Sequence, residues 1–78
     1  MTSIQQLLRA ARAHEQAASD FRTEAFDRYM KSTEDAPQTH REHGEHSLAY
    51  SVYENSRTWH EQAYKALRLI ERAADYLA

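Results

Sequence analysis

A chain of 78 residues with a single proline and a single glycine has very few places where its backbone can reverse. Proline lacks a backbone N–H and disfavours helical geometry in the residue before it. Glycine inside a helix costs about 1 kcal/mol relative to alanine. Both residues, Pro37 and Gly44, fall in one stretch near the middle, and the sequence on either side is rich in Ala, Arg, Glu and Gln, which favour helices. The expectation is one all-α domain folded as a two-helix antiparallel hairpin. Helix 1 is predicted over about 3–34, a loop over about 35–39 and helix 2 over about 40–77.

Local signals refine these limits. Ser3 with Gln6 has the spacing of a capping box, in which each side chain accepts from the other residue's free backbone N–H. Pro37 should stop helix 1 near Glu34 or Asp35 through its effect on Ala36. Thr39 with Glu42 offers a second capping box, whereas Gly44 could delay the start of helix 2 to Ser47; the earlier start, with a weak first turn, is the one expected. In helix 1, Ile4, Leu7, Leu8, Ala11, His14, Ala18, Phe21, Ala25 and Tyr29 recur at helical spacing. Phe26 and Met30 widen this apolar face, and Glu24–Arg28 and Asp27–Lys31 have i,i+4 ion-pair spacing.

Helix 2 carries the more regular pattern. Ala49, Val52, Ser56, Trp59, Ala63, Ala66, Ile70, Ala73 and Leu77 alternate steps of three and four, as the seam of a heptad repeat does. Most are small, with Trp59 as the one bulky knob. A second stripe, Tyr53, His60, Tyr64, Leu67 and Ala74, runs beside it. Two adjacent stripes imply two neighbours: helix 1 and a helix from a second chain. The interface residues expected on this basis are Val52, Ser56, Trp59, Ala63, Ala66 and Ile70.

The apolar inventory points the same way. Of 32 hydrophobic residues 13 are Ala, and Leu, Ile, Val and Phe together number 11. Each fully buried large side chain contributes about 1.5–3 kcal/mol, and a domain this short hides only about 60% of the surface of its unfolded chain. A lone hairpin would be marginal, so a homodimeric four-helix bundle or higher oligomer is expected. No Cys is present to supply disulfides or thiolate ligands. No apolar run approaches the roughly 20 residues of a membrane span, and Met1–Gln6 lacks the layout of a signal peptide. A cytoplasmic protein with no membrane partner is expected. A formal net charge of −2 argues against binding a nucleic-acid polymer.

Motifs that carry chemistry are sparse. His40, His43 and His46 sit in the run His40-Arg41-Glu42-His43-Gly44-Glu45-His46 and could present metal ligands at helical spacing. His-Glu-x-x-His and Glu-x-x-His are both absent, and a solvated, polar first turn after a loop is the favoured reading of the run. Five histidines could also change charge between pH 5 and 8. Ser56 with His60 lacks an orienting third group and a Gly-rich oxyanion loop, so no enzymatic activity and no cofactor are expected. Lys65, Arg68 and Arg72 share a face near Tyr64, which would suit an anionic nucleotide, although Glu61 and Glu71 dilute the charge. Tyr53, His60, Tyr64, Lys65, Arg68 and Arg72 are thus the candidates for contact with a partner or ligand. A short echo, His14-Glu15-Gln16-Ala17 against His60-Glu61-Gln62-Ala63, links the two helices.

In size and design the chain resembles the small helical proteins that bacteriophages make to block a host protein or sequester a host signalling nucleotide. That resemblance is of architecture and transfers no residues. It implies a non-enzymatic protein acting by protein–protein interaction, an inhibitor, with a ligand-binding oligomer holding a nucleotide or metal between chains as the alternative.

Overall fold

The computed structural model describes residues 3–34 and 39–77. They form two α-helices, α1 (Ile4–Glu34) and α2 (His40–Leu77), packed antiparallel along their length. The roles expected of Asp35, Ala36 and Pro37 in the turn lie outside the described residues.

Both helix starts follow from their caps. Gln6 N–H donates to Ser3 Oγ at 3.1 Å while Ser3 N–H donates to Gln6 Oε1 at 2.9 Å, completing the reciprocal box. At the start of α2, Glu42 N–H donates to Thr39 Oγ1 at 3.1 Å and His43 N–H to the Thr39 carbonyl at 3.1 Å. Helix 2 therefore takes the earlier start and carries Gly44 inside it. A Cβ added to Gly44 meets nothing within 4 Å, and its φ is not positive. Gly44→Ala should accordingly stabilise the fold by about 0.4–1 kcal/mol, by lowering the entropy of the unfolded chain. A rise in melting temperature with unchanged helicity is the expected reading; a fall would mean that Gly44 has a role outside the helix backbone. Glu24 and Arg28 form the expected ion pair at 3.1 Å, whereas Asp27 and Lys31 do not pair.

The hairpin seam runs in strict steps of four and three on both helices. On α1 the residues turned inward are Ile4, Leu8, Ala11, Glu15, Ala18, Arg22, Ala25, Tyr29 and Ser32; on α2 they are His46, Ala49, Tyr53, Ser56, His60, Ala63, Leu67, Ile70 and Ala74. This corrects the expected phase. Spacing alone places Leu7, His14 and Phe21 of α1, and Val52, Trp59, Ala66, Ala73 and Leu77 of α2, in the central stripes. All of these except Trp59 are exposed, and Trp59 is part-exposed at the seam's edge.

The core inside this seam is thin. Among the described residues, Leu8, Ala18, Ala25 and Ala63 are the buried hydrophobic ones, and Ser56, at 1% exposure, is the largest side chain buried that completely. Small residues at the contact let the helices lie close, as the all-helical pattern of Ala and Ser suggests. The molecule is a rod of 58 × 17 × 16 Å with a radius of gyration of 17.5 Å. A compact domain of this length would have about 11–12 Å. The chain exposes 6303 Å², against about 4,900 Å² for a typical folded monomer of its mass.

Candidate functional site

Three histidines cross-link the two helices, and their partners fix which ring nitrogen carries the proton. Arg22 Nη1 lies 3.2 Å from His60 Nδ1. A guanidinium can only donate, so Nδ1 accepts and the proton sits on Nε2. His60 Nε2 then donates to Glu15 Oε1 at 2.9 Å. The neutral imidazole bridges an anion and a cation within the seam. Trp59 Nε1–H donates to His14 Nε2 at 3.0 Å, which likewise requires an unprotonated Nε2. At the other end, Ser32 Oγ donates to the Tyr29 carbonyl at 2.6 Å, leaving it to accept from His46 Nδ1 at 2.9 Å. No buried side-chain nitrogen or oxygen among the described residues lacks a partner. These bonds compensate for the shortage of apolar bulk by satisfying polar groups inside the contact.

The two edges of the seam differ in character. On one, Tyr29 stacks on Tyr53 with centroids 5.7 Å apart, and Phe26 and Tyr50 pack around the pair. Arg57 lies 5.9 Å over the Tyr53 ring. The hydrogen bond and charge of Glu54 raise the Arg57 pKa above its ordinary value, and the guanidinium is a cation at neutral pH in any case. A cleft of about 330 Å³ opens here between Ser19, Thr23 and Phe26 on α1 and Tyr53 and His60 on α2.

The other edge is apolar and open. Trp59 meets the rings of His14 and Phe21 edge-on, with centroids at 5.5 and 5.8 Å. Around this cluster, Leu7, Phe21 and Val52 remain 44%, 42% and 37% exposed, and Leu48 and Leu69 follow on the same side of α2 by heptad position. Ala10, Ala17, Ala66 and Ala73 fill the spaces between them and are also exposed. Asn55 and Gln62 on α2, and the Glu24–Arg28 pair on α1, interrupt the strip with polar side chains, but the apolar side chains between them form a surface of the kind that marks interaction sites.

The candidate residues divide accordingly. Of the expected interface set, Ser56, Ala63 and Ile70 face α1 of the same chain, while Val52, Trp59 and Ala66 line the open strip. Tyr53 and His60, expected to meet a partner or ligand, are instead turned into the hairpin by Tyr29, Glu15 and Arg22. Tyr64, Lys65, Arg68 and Arg72 remain on the outside, with Leu69, around a shallow depression of about 320 Å³. Arg68 lies 5.7 Å over the Tyr64 ring, and neither Lys65, Arg68 nor Arg72 makes an ion pair.

His40 and His43 are exposed, whereas His46 is held by Ser32 and packs on Tyr29. Among the described residues, no group of three or more His, Cys, Asp or Glu side chains is arranged to hold a metal, so the run His40, His43, His46 does not converge into one. Ser56 Oγ is committed to the Tyr53 carbonyl at 2.6 Å and does not bond to His60. No helix among the described residues is long and apolar enough to cross a membrane. The sequence reading missed Glu15 and Arg22 because it followed apolar residues alone; the unbroken four-three spacing with polar residues included is the signal that locates them. Comparison with protein-family models, curated proteins and solved structures finds no match.

Proposed function

We propose that this chain is a non-enzymatic, cytoplasmic interaction protein whose working unit is a homo-oligomer, in the simplest case a four-helix bundle of two hairpins. The observation that carries the reading is the open strip around Trp59, together with the surface the rod leaves exposed. The 6303 Å² it exposes exceeds the typical monomer value by about 1,400 Å². Two chains each covering that much would bury about 2,800 Å², within the range of obligate homodimers. Docking of the assembled bundle on another protein, as the resemblance to phage inhibitors implies, is the use this reading assigns to it.

A protein whose folding is tied to association melts at a temperature that depends on its concentration. The melting midpoint should therefore rise steadily from low to high micromolar concentration. A midpoint independent of concentration would overturn the oligomeric reading.

The outer surface of α2 supports a second reading, a ligand-binding oligomer. Three cations without ion pairs, one of them stacked on Tyr64, could hold an anionic nucleotide by charge-assisted bonds and stacking. A nucleotide that binds only the folded state raises its melting temperature. If a panel of nucleotides leaves the midpoint unmoved, this second reading fails.

A further inference from the structure

We infer that the open strip is covered by a second copy of this chain lying head to tail, with the two-fold axis crossing the rod at the height of Trp59. The inference rests on the oligomeric reading above and adds the orientation.

The first support is the order of residues along α2. The strip follows a second four-three repeat: Leu48, Val52, Asn55, Trp59, Gln62, Ala66, Leu69. This order is self-complementary on reversal. Laid against an antiparallel copy of itself about Trp59, Leu48 meets Leu69 and the larger Val52 meets the smaller Ala66. The two amide side chains, Asn55 and Gln62, meet each other and can bond reciprocally. A two-fold interface requires that kind of matching, because each contact occurs twice with the partners exchanged.

The second support comes from α1. His14 and Phe21 flank the Trp59 ring, so the midpoint between them, close to Ala17 and Ala18, lies at the same height as Trp59. The same axis therefore sets His14 of one chain opposite Phe21 of the other. On α1 the axis also sets Leu7 opposite Arg28 and Ala10 opposite Glu24, so the self-matching belongs to α2, whose own midpoint (His40–Leu77) lies at this height. A head-to-tail pair about this axis overlaps along the full rod.

The third support is charge, which separates this arrangement from the parallel one. Among the described residues, 19–34 and 39–58, which build the end of the rod near the connection, carry five basic and seven acidic residues. Residues 3–18 and 59–77, at the other end, carry five basic and four acidic. Head-to-tail pairing sets the acidic end against the weakly basic one; parallel pairing sets the two acidic ends side by side, where like charges repel.

The absence of Cys lets a single spin label be placed at will. Ser47→Cys and Thr58→Cys lie on exposed positions of α2. At 1.5 Å of rise per residue, Ser47 is about 18 Å from the axis along the rod, so head-to-tail labels stand about 36 Å apart along it, while parallel labels lie at one height. Thr58, close to the axis, gives a short separation in either arrangement and serves as the reference. Pulsed electron–electron resonance should show Ser47 labels about 36 Å apart or more and Thr58 labels clearly closer, with parent helicity in both variants. Equal short distances at both sites would overturn the orientation and leave the dimer standing. No distance between chains at either site would overturn the oligomeric reading, and the orientation with it.

Discussion

Replacing Trp59 with Ala should convert the assembled protein into largely unfolded single chains at micromolar concentration. Within one chain the indole already holds the helices together, donating to His14 and packing on Phe21. In the proposed dimer it also stands at the centre of the interface, where Trp is a frequent energetic anchor. Trp59 is part-exposed in the single hairpin, so the full cost of removing a buried aromatic side chain, about 3–5 kcal/mol, applies once the second chain covers it; small domains have total stabilities near the low end of about 5–15 kcal/mol. The loss falls on folding and assembly together. Trp59→Phe keeps an aromatic ring but removes the N–H, so it should lose less, and the difference between the two variants separates packing from the His14 bond. Circular dichroism with light scattering checks both. Retention of parent mass and melting temperature in Trp59→Ala would remove Trp59 from the interface.

Ala63→Leu should destabilise the hairpin itself. Ala63 is 6% exposed, in a seam whose other buried members include Ala18 at 0%, Ala25 at 4% and Ser56 at 1%. Three added carbons have no free space there, and overpacking a well-filled core typically costs about 1–3 kcal/mol. In a fold with Leu8 as its one large buried hydrophobic residue among those described, that is a large share of the stability. Lys65→Gln and Arg68→Gln form the contrast. Both side chains are on exposed positions without ion pairs, so their loss should shift stability by no more than about 0.5 kcal/mol. Urea unfolding of the three variants should show one weakened protein and two like the parent. The opposite split would mean that α2 meets α1 by another face.

How far the sequence reveals this depends on whether a feature is local. The helix limits and caps are local: Ser3–Gln6 and Thr39–Glu42 are read from spacing, and the structure makes both bonds of the first box and the bond from Glu42 N–H to Thr39 Oγ1 in the second. The choice of seam is not local. On α2, apolar and small residues occupy about half the helix circumference, so a stripe through Val52, Trp59 and Ala66 and a stripe through Tyr53, His60 and Leu67 satisfy the same periodicity. What decides between them is the polar content of the facing helix. Glu15, Arg22 and Ser32 supply partners for His60 and His46, so those histidines turn inward and carry the apolar Val52–Trp59 stripe to the edge. A reading confined to hydrophobic residues places the charged pair Glu15 and Arg22 outside and shifts the phase by one step. The candidate surface is legible in part for the same reason: Val52, Trp59 and Ala66, expected at an interface, line the open strip, but spacing alone puts their neighbours Leu7, His14 and Phe21 on the face of α1 that packs in the hairpin.

The most direct test is the mass of the parent protein in solution. Multi-angle light scattering across the micromolar range should give at least twice the 9.1 kDa of one chain, with the mass falling on dilution only as helicity falls with it. A stable 9.1 kDa species that keeps its full helicity when diluted would show that one hairpin suffices, and that the strip around Trp59 does not serve to join copies of this chain.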